Sequence, residues 1–475
     1  MTSEGPRILT VPGGTSPGAA AMAFAALHKI HELAEERRSA ADGELLPDGQ
    51  PSEEGSAAGA PAAGRRTVVV LRDPASVARR SLRESAASPS SAFPELPDEV
   101  ANDPRLLDGV DLVVPTSGSS TGTPHLVGLS LEALTASASA THEALDGPGR
   151  WILALPAHHI AGAQVLFRAA VSGTDPFIVD TEDGFDPARL LPAIAGAAAD
   201  PSVPAYLSLV PVQLRACLEA GDPVVSALAR LSAVLVGGSS VDRALIAASR
   251  ERGIRAVTTY GMTETCGGCV YDARPLPGVS VRSIDVEGPQ RLAVAGPLLM
   301  TKYLDGTAPF VDEGGVRWLM TGDLGVIAPN GAVEVMGRAD DVIVSGGLSI
   351  APAPVRQAVL TTPGVRDAWI LGLPDPKWGS VVAAAVVPDA PRRDADAGPA
   401  GAVETSPVGT GPSEALSALA ASIRDQVGRQ LGRAQAPRAV IAVDDLPQLE
   451  TGKTDPRGVQ AAVEARLGTR AAWTR

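Results

Sequence analysis

Short apolar runs alternate with helical stretches along the first two thirds of the chain. The clearest runs are residues 68–71, 112–114, 152–155, 207–210, 233–236 and 256–259. Each is bounded by glycine, proline or polar turn residues, and some precede a segment with helical periodicity. Such runs are typical of strands that are buried on both faces. Their alternation with helices predicts an α/β body.

The hydrophobic pattern changes near Gly337. A hairpin-like run at 333–343 is followed by strands at 369–373 and 381–387, an amphipathic helix at 414–431 and a strand at 439–443. This order predicts a compact α+β domain. We therefore expect a large N-terminal α/β domain with several sheets at residues 1–339 and a small C-terminal α+β domain at 340–475.

Two segments contain too few large apolar side chains to form a core. Residues 39–65 and 390–413 are rich in alanine, glycine, proline, serine and acidic residues. Such compositions are typical of disordered chain. We predict that both are disordered surface insertions that carry no chemistry.

Length and charge restrict the classes of protein. A chain of 475 residues exceeds one ordinary core, so two or three domains are expected. The net charge of −14 argues against nucleic acid or an anionic membrane as a general partner. The start of the sequence lacks a signal-peptide pattern, and no apolar run reaches the roughly 18 residues of a membrane span. We expect a soluble cytoplasmic protein.

Two of the three cysteines, Cys266 and Cys269, have the CxxC spacing of zinc and redox sites. No second pair of cysteine or histidine residues lies nearby in the sequence to complete four zinc ligands. We favour packing or pocket lining over the zinc or redox alternative.

A loop rich in glycine, serine and threonine follows the strand at 112–114. Backbone N–H groups and hydroxyls of such a loop can converge on phosphate oxygens. The spacing is not that of a Walker A loop, and a flexible linker is the alternative. The residues assigned to phosphate binding are Thr116, Ser117, Gly118, Ser119, Ser120, Thr121 and Gly122.

Two later strand ends carry residues suited to a nucleotide. Gly238 and Ser239 follow the strand at 233–236, where backbone could approach a flat ring closely. Tyr260 offers a face for stacking on adenine, and Glu264 is a hard oxygen ligand suited to Mg²⁺. A helix-capping acid is the alternative for Glu264. We also assign Gly261 and Thr263 to nucleotide binding. Glu264 and Thr121 are assigned to the metal ion.

The C-terminal motifs supply charge and flexibility. The carboxylate of Asp323 can accept hydrogen bonds from both ribose hydroxyls, and Arg338 offers planar donors for phosphate or ribose. Asp340 lies at the composition boundary, where a hinge could absorb backbone rotation. Lys453 could neutralise charge that develops when a carboxylate attacks the α-phosphate, although a lone loop lysine usually faces solvent. A slender substrate could pass close to Gly346 and Gly347.

In their order, these motifs resemble those of the adenylate-forming superfamily of acyl-CoA synthetases, luciferases and adenylation domains, over residues 105–460. Segments 155–168, 208–214 and 266–269 are similar to those of the o-succinylbenzoate–CoA ligases of menaquinone biosynthesis. The resemblance implies that a carboxylate attacks ATP, with Mg²⁺, to give an acyl-adenylate and pyrophosphate. It further implies that the small domain is mobile and swings about Asp340, so that CoA enters past Gly346 and Gly347 and releases AMP.

The resemblance also implies a substrate, o-succinylbenzoate, which would become o-succinylbenzoyl-CoA. Its second, aromatic carboxylate needs a partner in an apolar pocket, and the resemblance assigns Arg168 to it. It assigns Ser208 and the backbone at Gly268 to the pocket lining, and His159 to a place facing the acyl group. An ordinary helix-surface arginine is the alternative for Arg168. The expected partners are the acid, ATP and CoA, in a protein that could form a homodimer.

The chain departs from the family pattern at four points. The phosphate loop is one residue longer, His125 replaces a usual lysine, Pro354 replaces a usual glutamate, and the segment after Lys453 has an extra residue. The alternatives are a ligase for another aryl or fatty acid and a non-catalytic nucleotide-binding protein. An amino-acid adenylation domain is disfavoured, because two histidines stand where an amine-binding aspartate is expected. Retention of the motif residues, Lys453 among them, favours a working enzyme.

Overall fold

The computed structural model describes residues 5–43, 66–74, 96–116, 124–284, 290–389, 413–449 and 453–474. The chain separates into two compact units. The first comprises Met1–Arg282, Ala293–Thr321 and Ile327–Val333, and the second comprises Ser283–Leu292, Gly322–Val326 and Glu334–Arg475. The predicted single boundary between residues 339 and 340 stays a prediction.

Helices and strands alternate along much of the chain. The described helices are α1 (Pro17–Gly43), α2 (Asp98–Asn102), α3 (Leu131–Ala144), α4 (Ile160–Val171), α5 (Leu190–Ala197), α6 (Pro211–Glu219), α7 (Asp222–Leu228), α8 (Arg243–Glu251), α9 (Pro352–Leu360), α10 (Glu414–Leu431) and α11 (Pro456–Glu464). The strands begin with β1 (Arg7–Pro12), β2 (Thr67–Arg72), β3 (Leu112–Pro115), β4 (Leu126–Leu129), β5 (Arg150–Leu153), β6 (Phe177–Ile178), β7 (Ala205–Leu209), β8 (Ala233–Val236), β9 (Ala256–Met262), β10 (Gly267–Tyr271) and β11 (Arg274–Pro275). They continue with β12 (Ser280–Ile284), β13 (Arg291–Ala295), β14 (Lys302–Tyr303), β15 (Phe310–Glu313), β16 (Val316–Ile327), β17 (Val333–Arg338), β18 (Ile343–Ser345), β19 (Leu348–Ile350), β20 (Val365–Asp375), β21 (Gly379–Pro388), β22 (Ala439–Ala442) and β23 (Ala472–Thr474).

Four sheets organise these strands. The first has the order β1-β2-β3-β4-β14 and the second β11-β10-β9-β8-β7-β5-β6. The third runs β12-β13-β16-β15, with β17 also paired to β16, and the fourth runs β19-β18-β21-β22-β23, with β20 also paired to β21. The prediction of an α/β body with more than one sheet, followed by an α+β unit, is confirmed.

The second sheet explains why the predicted runs are so apolar. Its central strands β5, β7, β8 and β9 are parallel. One face packs into a core shared with α1, α3, α4 and the first sheet, and the other packs against α5 to α8. Strands covered on both faces read as continuous apolar runs, because neither set of side chains meets water. Since these strands are parallel, their carboxyl ends share one edge, where ligands of open α/β sheets bind.

The strand pairing around residues 333–343 differs from the prediction. The run at 333–343 is not a hairpin, because β17 pairs with β16 and residues 339–341 form a 3-10 turn. The chain reverses before it, at a turn in which Gly331 donates to the Ala328 carbonyl, so the Asn330–Gly331 turn signal sets the pairing.

The two segments predicted to be disordered lie mostly outside the described residues, at 44–65 and 390–412. At their edges the prediction is wrong. Helix α1 continues to Gly43, and Ser413 caps α10 by accepting a hydrogen bond from the Leu416 N–H. A serine N-cap supplies an acceptor that a composition count does not register. Among the described helices, none combines the length and apolar character needed to cross a membrane.

Candidate active site

The carboxylate of Glu264 is held in a fixed position at the end of β9. Residues 263–265 form a 3-10 turn directly after this strand. The Tyr303 hydroxyl donates to Oε1 of Glu264 at 2.7 Å, and the Met300 N–H donates to the Glu264 carbonyl at 2.8 Å. The side chain therefore pairs with a tyrosine from β14 rather than capping a helix. A half-buried carboxylate held this way is a suitable hard ligand for Mg²⁺.

The base of the predicted phosphate loop lies beside this turn. The Thr116 N–H donates to the His125 carbonyl at 2.8 Å, and the His125 N–H donates to Thr116 Oγ1 at 2.9 Å. The Thr263 hydroxyl donates to the Pro115 carbonyl at 3.4 Å. The structure thus brings Thr116, Thr263 and Glu264 together. The other predicted phosphate ligands lie outside the described residues: Ser117, Gly118, Ser119, Ser120, Thr121 and Gly122.

His125, which stands where the family has lysine, is tied to the same tyrosine. Its ring stacks on Tyr303 with centroids 4.9 Å apart, and its Nδ1 lies 3.4 Å from Asp305 Oδ1. An imidazole can pack on an aromatic ring in this way, whereas a lysine would bring only a point charge to the loop.

The predicted nucleotide residues near β8 and β9 lie at the carboxyl edge of the second sheet. Gly238 and Ser239 form the connection between β8 and α8. Tyr260 lies on β9, and Gly261 follows it in the strand. A Cβ at Gly261 would lie 2.0 Å from the Gly267 carbonyl oxygen, so β9 and β10 can approach each other at this point only because residue 261 is glycine.

Asp323, Arg338 and Asp340 are brought together in the second unit. Arg338 Nη1 lies 3.6 Å from Asp323 Oδ1, and Arg338 Nη2 lies 3.7 Å from Asp340 Oδ2. Burial raises the pKa of the neighbouring Asp341 carboxyl, Arg338 opposes the shift, and the carboxylates of Asp340 and Asp323 add to it. Asp323 is 9% exposed, and its carboxylate can only accept hydrogen bonds.

Lys453 and the two glycines assigned to CoA passage also belong to the second unit. Gly346 and Gly347 join β18 to β19, and the Gly346 N–H donates to the Trp378 carbonyl at 3.0 Å. The Lys453 carbonyl accepts a hydrogen bond from the Leu449 N–H at 2.7 Å. Residues 450–452 themselves lie outside the described part of the chain.

Arg168 is buried in α4 and is not a surface arginine. Its side chain is 3% exposed, Nη2 donates to the Tyr271 hydroxyl at 3.4 Å, and Cζ lies 5.1 Å from the Trp151 ring centroid. Among the residues that the structure describes, Arg168 has no ion pair with a carboxylate, and its Nε has no hydrogen-bond partner. A buried charge without a counter-charge is costly, so this guanidinium is suited to an anionic ligand.

Gly268 and Arg168 both lie next to Tyr271. A Cβ at Gly268 would lie 2.7 Å from the Tyr271 ring and 3.4 Å from the hydroxyl that contacts Arg168. His159 is the N-cap of α4, so it lies at the opposite end of that helix, about 13 Å of helix axis from Arg168. Ser208 is 8% exposed on β7, opposite Leu235 of β8, and no described contact joins it to Arg168.

Tyr271 and Tyr303 support the site and lie outside the motifs that the sequence predicts for it. Each holds a predicted site residue through its hydroxyl, Arg168 in one case and Glu264 in the other. A signal was present, because the chain has only four tyrosines and a buried tyrosine usually pairs its hydroxyl. Both cysteines of the CxxC pair are buried, and burial raises the pKa of the Cys266 thiol. No group of three or more potential metal ligands occurs among the described residues.

His142 shares the buried surroundings of Arg168. Burial, and secondly the charge of Arg168, lowers the pKa of His142 to about 4. The imidazole is therefore neutral in the folded protein near neutral pH. In the unfolded chain its pKa is about 6.5, so the unfolded state binds more protons between these values.

His142 should make the protein less stable as the pH is lowered through this window. Between about pH 6.5 and pH 4 we expect the free energy of unfolding to decrease by up to about 3 kcal/mol from this group. Urea denaturation at a series of pH values should show that slope in the wild type and a shallower slope in His142→Gln. Parallel slopes would contradict the assignment.

Comparisons with known proteins identify the family to which the chain belongs. A family model described as AMP-binding enzyme matches residues 39–304, and one described as AMP-binding enzyme C-terminal domain matches residues 355–453. A probable 2-succinylbenzoate–CoA ligase of Mycobacterium tuberculosis (strain CDC 1551 / Oshkosh) is 39% identical over 389 residues, covering 81% of this chain and 90% of the relative. The 2-succinylbenzoate–CoA ligase of Bacillus pumilus (strain SAFR-032) is 31% identical over 276 residues, covering 54% of each chain.

Solved structures share the fold. The o-succinylbenzoate CoA synthetase of Bacillus subtilis, in complex with its acyl-adenylate intermediate, aligns with a TM-score of 0.59 at 24% identity, covering 83% of this chain and 78% of that one. An amide bond synthetase from Marinactinospora thermotolerans aligns with a TM-score of 0.61 at 24% identity, covering 83% and 79%. The family models and the Mycobacterium tuberculosis relative confirm the predicted superfamily. The chain belongs to the AMP-binding enzyme family, within which it is similar to 2-succinylbenzoate–CoA ligases.

Proposed function

We propose that the protein activates 2-succinylbenzoate with ATP and Mg²⁺ through an acyl-adenylate and then transfers the acyl group to CoA. The observation that carries the proposal is the buried guanidinium of Arg168, which has no counter-charge among the described residues. The names of several curated relatives support the same acid.

The carboxylate that pairs with Arg168 would leave the other one to react. The acid carries an aromatic and an aliphatic carboxylate. If Arg168 pairs with the aromatic one, the aliphatic one points along α4 towards His159, at the carboxyl edge of the sheet where Glu264 lies. The aliphatic carboxylate oxygen then attacks the α-phosphorus, and the bond to pyrophosphate breaks.

The chain's own residues stabilise the charge that moves in this step. Glu264, held by Tyr303, would hold the metal ion, and the loop that begins at Thr116 would donate to phosphate oxygens. When bound, Mg²⁺ neutralises charge on the phosphate oxygens. Asp323 would accept from the ribose hydroxyls, and Lys453 would offset charge on the α-phosphate. In the second step the CoA thiol, losing its proton, attacks the acyl carbon and AMP leaves.

A ligase for a fatty acid is the second candidate. A fatty chain beside Arg168 would leave the buried guanidinium without a counter-charge, which is unfavourable in apolar surroundings. The non-catalytic alternative leaves unexplained why Tyr303 orients Glu264 and why Lys453 is retained. The buried charge of Arg168 therefore favours the aryl dicarboxylate. The Tyr303–Glu264 contact and the presence of Lys453 favour a working enzyme.

The proposal is tested by CoA-dependent AMP release from purified protein. ATP, Mg²⁺ and CoA are supplied with 2-succinylbenzoate, benzoate, a medium-chain fatty acid or 4-oxo-4-phenylbutanoate, which lacks only the aromatic carboxylate. We expect efficient turnover with 2-succinylbenzoate alone. Equal turnover with 4-oxo-4-phenylbutanoate would contradict the role of Arg168. Turnover with the fatty acid would show that the substrate is a fatty acid and not 2-succinylbenzoate.

A further inference from the structure

Gln164 is a buried polar residue that the proposed mechanism does not yet use. It lies on α4 one helical turn before Arg168 and is 1% exposed. Within the described chain neither its Oε1 nor its Nε2 has a hydrogen-bond partner. A buried amide without partners destabilises a fold, so its presence indicates a ligand group that completes it.

Gln213 shows how this chain satisfies a structural glutamine. It is also buried, at 9% exposure. Its Oε1 accepts from the Val210 N–H at 3.0 Å, and its Nε2 donates to the Ala154 carbonyl at 3.3 Å. The two glutamines therefore have similar burial and opposite hydrogen bonding.

The neighbours of Gln164 place it between α4 and β10. A Cβ on Gly267 would lie 3.5 Å from Gln164 Cγ and 3.9 Å from Ile160 Cγ1. Further along β10, Tyr271 contacts Arg168. Strand β10 thus follows α4 with Gln164 opposite its start and Arg168 opposite its end, about 6 Å apart along the helix axis. Gln164 lies on the side of Arg168 that leads towards His159.

We propose that Gln164 recognises the ketone of the acid by donating a hydrogen bond from Nε2 to the ketone oxygen. The inference rests on the proposed function, because it takes 2-succinylbenzoate as the substrate. That acid carries its ketone on the ring carbon next to the one that bears the aromatic carboxylate. With this carboxylate on Arg168, the ketone lies on the way to the reacting end, which is where Gln164 stands.

The unused atoms on the helix fit the same arrangement. Nε of Arg168 is a donor without a partner in the described structure, and Oε1 of Gln164 is an acceptor without one. Side chains four residues apart on a helix are neighbours, so Oε1 can accept from Arg168 Nε–H after a rotamer change. That bond would orient the amide with its Nε2 towards the substrate.

The test compares two acids on Gln164→Met, which keeps the volume and removes the amide. The acids are 2-succinylbenzoate and 4-(2-carboxyphenyl)butanoate, which has CH₂ in place of the ketone. We expect kcat/KM for the ketone acid to fall roughly tenfold, the loss of one hydrogen bond, and that for the CH₂ acid to change less than about twofold. An equal loss with both acids would overturn the proposal.

Thermal stability separates recognition from packing. We expect Tm of Gln164→Met to equal or exceed that of the wild type, because the variant loses an unpaired buried amide. The control Gln213→Met should lower Tm, since it leaves partners unsatisfied. A drop in Gln164→Met as large as that in Gln213→Met would make Gln164 a structural residue and overturn the proposal.

Activity of the wild type distinguishes a failure of the ketone contact from a failure of the proposed function. A wild-type protein that releases AMP with neither acid contradicts the proposed function and the inference with it. A wild-type protein that uses 2-succinylbenzoate, paired with a Gln164→Met variant that keeps the wild-type preference for the ketone acid, contradicts the inference alone.

Discussion

Lys453→Ala is expected to slow acyl-adenylate formation by about two to three orders of magnitude, the usual effect of removing one preorganised charge-stabilising donor. The lysine would act on the α-phosphate only while the carboxylate attacks it. Thioester formation from acyl-adenylate that is prepared in advance should therefore proceed at a rate close to that of the wild type. Pyrophosphate release measures the first step, and CoA consumption with the pre-formed adenylate measures the second.

Lys29→Ala is the matched control for the loss of a lysine charge. Lys29 lies on the exposed surface of α1, where it pairs with Glu32 at 3.2 Å. Both half-reactions should be unaffected in this variant. Equal losses in both half-reactions of Lys453→Ala would show that the residue serves folding or binding in general, and would contradict the assigned role.

Arg168→Met is expected to lower kcat/KM for 2-succinylbenzoate by about 30-fold to 1,000-fold, because it leaves the aromatic carboxylate buried without a partner at a cost of about 2–4 kcal/mol. The effect should appear mainly in KM for the acid, and KM for ATP should change little. Activity with 4-oxo-4-phenylbutanoate should rise relative to the wild type, since the pocket no longer contains an unpaired cation. Initial-rate kinetics with both acids test this reversal.

Stability provides the control for Arg168. Removing a buried charge that has no counter-charge should leave Tm unchanged or raise it. Arg66→Met should behave in the opposite way, because Arg66 pairs with Asp111 at 3.1 Å and also donates to the Leu107 carbonyl. If Arg168→Met lowers Tm and spares the kinetics of 2-succinylbenzoate, then Arg168 supports packing and the substrate assignment is wrong.

The central strands could be predicted because burial on both faces produces consecutive apolar residues. Strand β8 has the predicted bounds, and β2, β5 and β7 lie within about two residues of theirs, the usual uncertainty of element ends. Helix α10 also matches, since its apolar residues recur at helical spacing and Ser413 caps it. The hairpin at 333–343 was wrong because strand pairing depends on a distant partner, β16, which the local pattern does not contain.

The candidate site divides in the same way. The phosphate loop, the Glu264 turn and Asp323 follow from motifs whose chemistry depends on residues that are close in sequence. The contacts that hold the site residues do not follow from such motifs. Tyr303 contacts Glu264, and Tyr271 contacts Arg168, between elements that are separate in the chain. The unpaired state of Gln164 is likewise a property of the packed helix, because only packing decides which amides find partners.

The sequence by itself determined the family, the order of the motifs and the α/β character, because periodicity and loop chemistry act between neighbouring residues. Only the tertiary structure decided that Arg168 is buried without a counter-charge among the described residues and that Glu264 is held by a tyrosine. Burial and pairing are fixed when α4 packs against β10 and when β14 joins the first sheet. Those contacts join residues far apart in the chain, and no local pattern encodes them.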